Sequence, residues 1–239
     1  WWIICTEFYY CHMDKKNIYV WCPFTSKVGT VKNVINSCHG LVKYPKSKLF
    51  NIFIINVFGE WDDYLDEIRL KRIETENLNI IQFIKSWKKE GFLNSRISYL
   101  LIFISSFFSL FSLLQKKKPD YLIIHLITSL PIILFSIFNF KTKLILHIAG
   151  HPKMTFLRKL IWKMASNKIT KIICPSNELK EYLLQKNIFD ESKMIVIQDP
   201  HLLIKKINNL KKVEFIDKFF DGSKILISIG RLTEQKNYP

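Results

Sequence analysis

Lys118–Ile148, KPDYLIIHLITSLPIILFSIFNFKTKLILHI, decides the fold of this chain. A Lys-Pro-Asp turn leads into an apolar run, Tyr121–Leu126, of strand length. Ser129–Phe138 follows as a short helix, with Pro131 tolerated in its first turn. A second apolar run, Lys143–Ile148, then reads as the next strand. Two strands joined by a helix are parallel, because only a crossover returns the chain to the same end of a sheet. Runs this continuously apolar belong to a sheet covered on both faces.

The same alternation extends both ways. Toward the N-terminus, Asn17–Cys22 reads as a first strand, ended by Pro23. Thr30 caps a helix whose apolar face is Val31, Val34, Ile35 and Cys38, and Gly40 suits its end. Leu49–Phe58 is a second strand, Trp61–Arg72 a short polar surface helix, Leu78–Ile84 a third strand and Ser95–Gln115 a long helix. Toward the C-terminus, Thr155–Ala165 is helical, with Leu157, Leu160, Ile161 and Met164 on one face and Arg158 on the polar face. Thr170–Cys174 is a sixth strand, Ser176 caps a further helix, and Met194–Ile197 is a seventh strand ended at Asp199-Pro200. The predicted class is α/β: a Rossmann-like parallel sheet with helices on both faces. The GxGxxG dinucleotide fingerprint is absent.

The chain has 239 residues, is 49% hydrophobic and 23% charged, and carries a net charge of +16. It is globular in composition, and the basic excess points to an anionic partner such as a membrane surface or a phosphorylated ligand. Nothing resembles a recognition helix or an aromatic RNA platform, so nucleic acid is not the expected partner. Five cysteines, an odd number with no CxxC pair, speak against zinc or a disulfide framework and for a reducing setting. Asp62, Asp63 and Asp66 form no metal pattern. Ile97–Leu114 has about the minimum length to span a bilayer. Its five interrupting serines and its position between two strands favour a crossover helix buried on the sheet. An apolar face resting on a membrane is the alternative.

Four short stretches carry a resemblance. They are Val28-Gly29-Thr30 after the first strand, Lys118–His125 (KPDYLIIH), Cys174-Pro175-Ser176 at a strand end, and Gly230-Arg231-Leu232 with Lys236 after the run Lys224–Ile229. In these, and in their order, the chain resembles the retaining glycosyltransferases of family 4, whose GT-B fold pairs two Rossmann-like domains. The resemblance implies an acceptor-binding domain over 13–200, a linker over 201–222 and the start of a donor-binding domain over 223–239. Residues 1–12 would be an upstream edge ahead of Met13. It implies a nucleotide-diphosphate sugar as donor and a saccharide or lipid-linked saccharide as acceptor, with neither cofactor nor metal. Gly29, Gly230, Arg231 and Lys236 would contact the donor, and Arg231 and Lys236 would stabilise the departing diphosphate. Thr30, Ser176 and Arg158 would lie on the acceptor side.

Two departures qualify the match. Where the family ends a central strand in His-Gly, Ala149 stands here, flanked by the candidate catalytic histidines His147 and His151. The family's Glu-x7-Glu pair would fall beyond Pro239. The expected place of action is the cytoplasmic face of the plasma membrane, where a surface polysaccharide would be extended. A catalytically incomplete chain that only binds an acceptor or partner is the alternative.

Overall fold

The structure is a computed structural model that describes residues 15–25, 29–43, 50–78, 92–200 and 207–209. The chain divides into two compact units, Trp1–His201 and Leu202–Pro239. The first unit alternates strands and helices throughout. β1 is Lys16–Trp21, α1 Gly29–Lys43 and β2 Phe50–Asn56. A 3-10 turn, Asp62–Tyr64, leads into α2, Leu65–Leu70, and then β3, Glu74–Asn77. α3 is Phe92–Lys117, β4 Tyr121–Ile124, α4 Ser129–Ile137 and β5 Lys143–His147. α5 is Phe156–Ala165, β6 Ile169–Cys174, α6 Asn177–Gln185 and β7 Met194–Val196.

The seven strands form one sheet in the order β3-β2-β1-β4-β5-β6-β7, and every pairing is parallel. The α/β class expected from the sequence is therefore observed. Successive residues of β1 feed opposite faces, as strand geometry requires. Ile18, Val20 and Cys22 pack with Val31, Val34, Ile35 and Cys38 of α1 and Ile68 of α2. Tyr19 and Trp21 pack on the other side, with residues of α3, α4, α5 and α6. Each fully buried aliphatic side chain in these two clusters contributes about 1.5–3 kcal/mol. Local caps fix where helices start: Thr155 Oγ1 accepts from the Arg158 backbone N–H at 3.3 Å, and Ser176 Oγ from that of Leu179 at 3.2 Å.

Three elements differ from expectation. The third strand is the polar Glu74–Asn77, ahead of the apolar run read as a strand at Leu78–Ile84. Among the described residues it is the last strand in the sheet order and pairs with β2 alone, so polar half-exposed side chains suffice. Residues 79–84 lie outside the described residues. The long helix is not buried as a whole. Ser98, Ile102, Ser106, Leu110 and Leu114 face the core, while Leu100, Ile104 and Phe108 are exposed, Phe108 at 77%. Small serines thus alternate with Ile102, Leu110 and Leu114 on the inward face, and further large apolar side chains face outward. Ile97–Lys117 has the length and composition to cross a membrane, but that core face packs it on the sheet. In α5, Trp162 and Ala165 are buried, whereas Leu157, Leu160 and Met164 of the apolar face are exposed.

Candidate functional site

An open parallel sheet binds ligands beyond the carboxyl ends of its strands, where adjacent strands send the chain to opposite faces. Here that point lies between β1 and β4, which are neighbours in the sheet. β1 continues to α1 on one face and β4 to α4 on the other.

Four segments converge beside it. His147 ends β5, and its Nε2 lies 2.9 Å from Oδ1 of Asp199, in the segment after β7. Both side chains are only 8% exposed. Asn33 of α1 donates from Nδ2 to the other Asp199 oxygen at 3.3 Å, and Asn36 donates to the Pro200 carbonyl at 2.9 Å. His125 follows β4, where its backbone N–H bonds the Trp21 carbonyl at 2.9 Å. Its ring lies 4.5 Å from that of His147.

The electrostatics follow from burial. Removal from water disfavours the imidazolium, and the neighbouring His147 adds to this, so the pKa of His125 falls to about 3 despite the opposing pull of Asp199. His125 is therefore neutral near pH 7. Asp199 engages Nε2–H of His147, which orients the ring and, among the described residues, leaves Nδ1 without a partner. Nδ1 of His125 likewise has none. A buried, carboxylate-oriented imidazole with unused hydrogen-bonding capacity can take or relay a proton once a ligand group reaches it. Burial also pushes the thiols of Cys22, Cys38 and Cys174 up. They are free and buried, and serve as packing.

The other predicted site residues occupy three places. Gly29 opens α1, and a methyl group there would meet open space, so no packing demands glycine. Thr30 follows it, half-buried. His151 and Ser176 gather over the start of α6: His151 stands edge-on to Tyr182 at 5.1 Å and 3.8 Å from a Glu178 oxygen. Ser176 is the helix cap already described. Arg158 lies apart, exposed, donating to the Lys153 carbonyl at 2.6 Å. Gly230, Arg231 and Lys236 lie outside the described residues. Among the described residues no group of three or more side chains suits a metal ion.

Asp199 and Asn33 escaped the sequence reading. An Asp before a Pro reads as a turn, and an Asn within an amphipathic helix as surface. Only the fold brings Asp199 to His147 and Asn33 to Asp199, each pair more than fifty residues apart in sequence.

No protein-family model matches the chain, and no curated protein matches its sequence. Solved structures do match its fold. UDP-GlcNAc 2-epimerase from Neisseria meningitidis, solved bound to UDP-GlcNAc, aligns with 82% of this chain and 51% of its own, at 16% identity and a TM-score of 0.55. UDP-N-acetylglucosamine 2-epimerase from Rickettsia bellii aligns with 85% of this chain and 50% of its own, at 13% identity and a TM-score of 0.52. The chain thus spans about half the length of these structures, and what it shares with them is the fold.

Proposed function

We propose that this protein acts on a nucleotide-diphosphate sugar and passes the sugar, with retention, to a saccharide or lipid-linked acceptor. The observation that carries the reading is the cluster of His125, His147 and Asp199 at the carboxyl edge of a sheet whose fold likenesses include an enzyme bound to UDP-GlcNAc. The resemblance of Gly230-Arg231-Leu232 and Lys236 to a donor diphosphate site adds the transfer chemistry. In this reading Arg231 and Lys236 neutralise charge on the leaving diphosphate. His147, held by Asp199, faces the sugar, and the exposed His151 and the start of α6 form the acceptor side. Thr30 and Gly29 line the approach at the start of α1, and no metal or cofactor takes part.

A second reading is favoured by one observation: both fold likenesses described above are 2-epimerases. In that case the histidines serve proton transfer at a ring carbon, and no acceptor is needed.

Proton NMR of the full chain incubated with UDP-GlcNAc separates the two. Consumption that requires an added acceptor, giving a product with the donor's anomeric configuration, supports transfer. A C2 epimer formed without acceptor supports epimerisation. Binding without turnover in either case would leave a binding-only protein, and no binding of UDP-GlcNAc or of a panel of other nucleotide-diphosphate sugars would remove both enzymatic readings.

A further inference from the structure

Among the described residues, the helical layer formed by α3, α4 and α5 has an unusual outer surface. On α5, Phe156, Leu157, Leu160 and Met164 lie on one side and are all exposed, Phe156 at 84%. Lys159 and Lys163 border that side at helical spacing, while Trp162 and Ala165 hold the opposite side in the core. Leu100, Ile104 and Phe108 of α3 and Ile137 of α4 are exposed in the same layer. Monomers seldom leave so much apolar side chain to water without a partner.

Charge identifies the partner. α3, α4 and α5 contain no Asp or Glu. Between Asp120 and Glu178 the sequence has no acidic residue at all, yet it carries Lys141, Lys153, Arg158, Lys159, Lys163 and Lys168, among others. The opposite face of the sheet is different: Asp62, Asp63, Asp66 and Glu67 lie on or beside α2. A protein partner of ordinary composition does not demand such one-sidedness. An anionic lipid surface does, because it takes apolar side chains at the acyl boundary and lysines at the headgroups.

We propose that α5, through Phe156, Leu157, Leu160 and Met164 with Lys159 and Lys163, docks this protein on an anionic membrane, with the α3–α5 layer toward the lipid. This goes beyond the nucleotide-sugar reading and does not depend on it. The sequence directed attention to α3 for membrane contact, whereas the exposed apolar and basic face that is continuous within one short helix belongs to α5.

Vesicle flotation of the full chain tests it. Expected are binding to phosphatidylcholine vesicles containing phosphatidylglycerol, little binding to phosphatidylcholine alone, and weakening by added salt. Leu157→Glu with Leu160→Glu should lower the bound fraction about tenfold or more. Lys159→Glu with Lys163→Glu should abolish the preference for anionic lipid. Leu70→Glu serves as control: Leu70 is 85% exposed on the acidic face, and its replacement should change nothing. Circular dichroism should be the same for all variants. Undiminished flotation of the α5 variants would overturn the proposal. So would a sedimentation mass showing that the native chain pairs through α5 and that the leucine variant is monomeric.

Discussion

Two regions at the strand ends of this sheet bury polar side chains, and they do so differently. At the end of β2, Asn56 is a hub: its Nδ2 donates to Asp62 and Asn77, both at 3.0 Å, and its Oδ1 accepts from the backbone N–H groups of Gly59 and Trp61. The Glu60 carboxylate accepts from Val57 and Phe58 at 2.8–3.1 Å. At the ends of β4 and β5, His147 is held through Nε2 by Asp199, and among the described residues Nδ1 of His147 and Nδ1 of His125 have no partner. A buried polar group that is fully satisfied stabilises a turn; the unpartnered Trp61 indole N–H beside Asn56 costs free energy without adding a titratable group, whereas two adjacent half-used imidazoles mark a place where function is the better explanation.

If that contrast holds, the larger stability effect of the two regions belongs to β2. Asn56→Leu should cost about 3 kcal/mol, because it strands buried backbone donors around Gly59 and Trp61. Urea unfolding measures this, and a cost below about 1 kcal/mol would break the contrast from that side.

The pH dependence sharpens the other side. The folded-state pKa of His125, about 3, lies below the ordinary value of 6.5. The unfolded chain therefore binds more protons as the pH falls through 6.5, and stability present above 6.5 is lost progressively toward 3. Between pH 6.5 and 5 the loss from this residue is about 2 kcal/mol. His125→Phe should flatten that part of the stability curve. An unchanged slope would mean that His125 does not carry it.

A kinetic prediction follows for His147. His147→Gln should lower turnover of the nucleotide sugar at least about tenfold, the equivalent of roughly 1.4 kcal/mol in the barrier, while Asn56 variants that remain folded keep theirs. Equal activity losses at the two strand ends would erase the distinction. The smallest effect is expected on α5: Leu160→Ser should shift stability by no more than about 0.5 kcal/mol, since the side chain already faces water. Ile35→Ala on α1, by contrast, should cost about 2–4 kcal/mol.

That last pair shows how far the sequence reaches. α1 and α5 both carry apolar residues at helical spacing, and both are legible as helices, as are the strands of the parallel sheet other than β3. The period of Val31, Val34, Ile35 and Cys38 marks a face the core covers. The equal period of Leu157, Leu160 and Met164 marks a face the core leaves bare, because Trp162 and Ala165 fill the inward side. Periodicity reports that a face exists and says nothing of what lies against it. β3 was misplaced for a related reason: a strand at the edge of the sheet order needs no apolar run. In the site, His147 and His151 could be named as candidates because they flank Ala149, and the structure puts them in different places, His147 beside Asp199 and His151 by Glu178 and Tyr182. Asp199 was not, because its proximity to His147 arises from the parallel order of β5, β6 and β7 and from no local spacing.

The most direct test is to follow the histidine ring resonances of the full chain by nitrogen-15 NMR while UDP-GlcNAc is added. Saturable shifts of His147 and His125, with the Asn56 side-chain amide unmoved, are the predicted result. Saturable binding that leaves both histidines unchanged would contradict the placement of the sugar at the ends of β4 and β5.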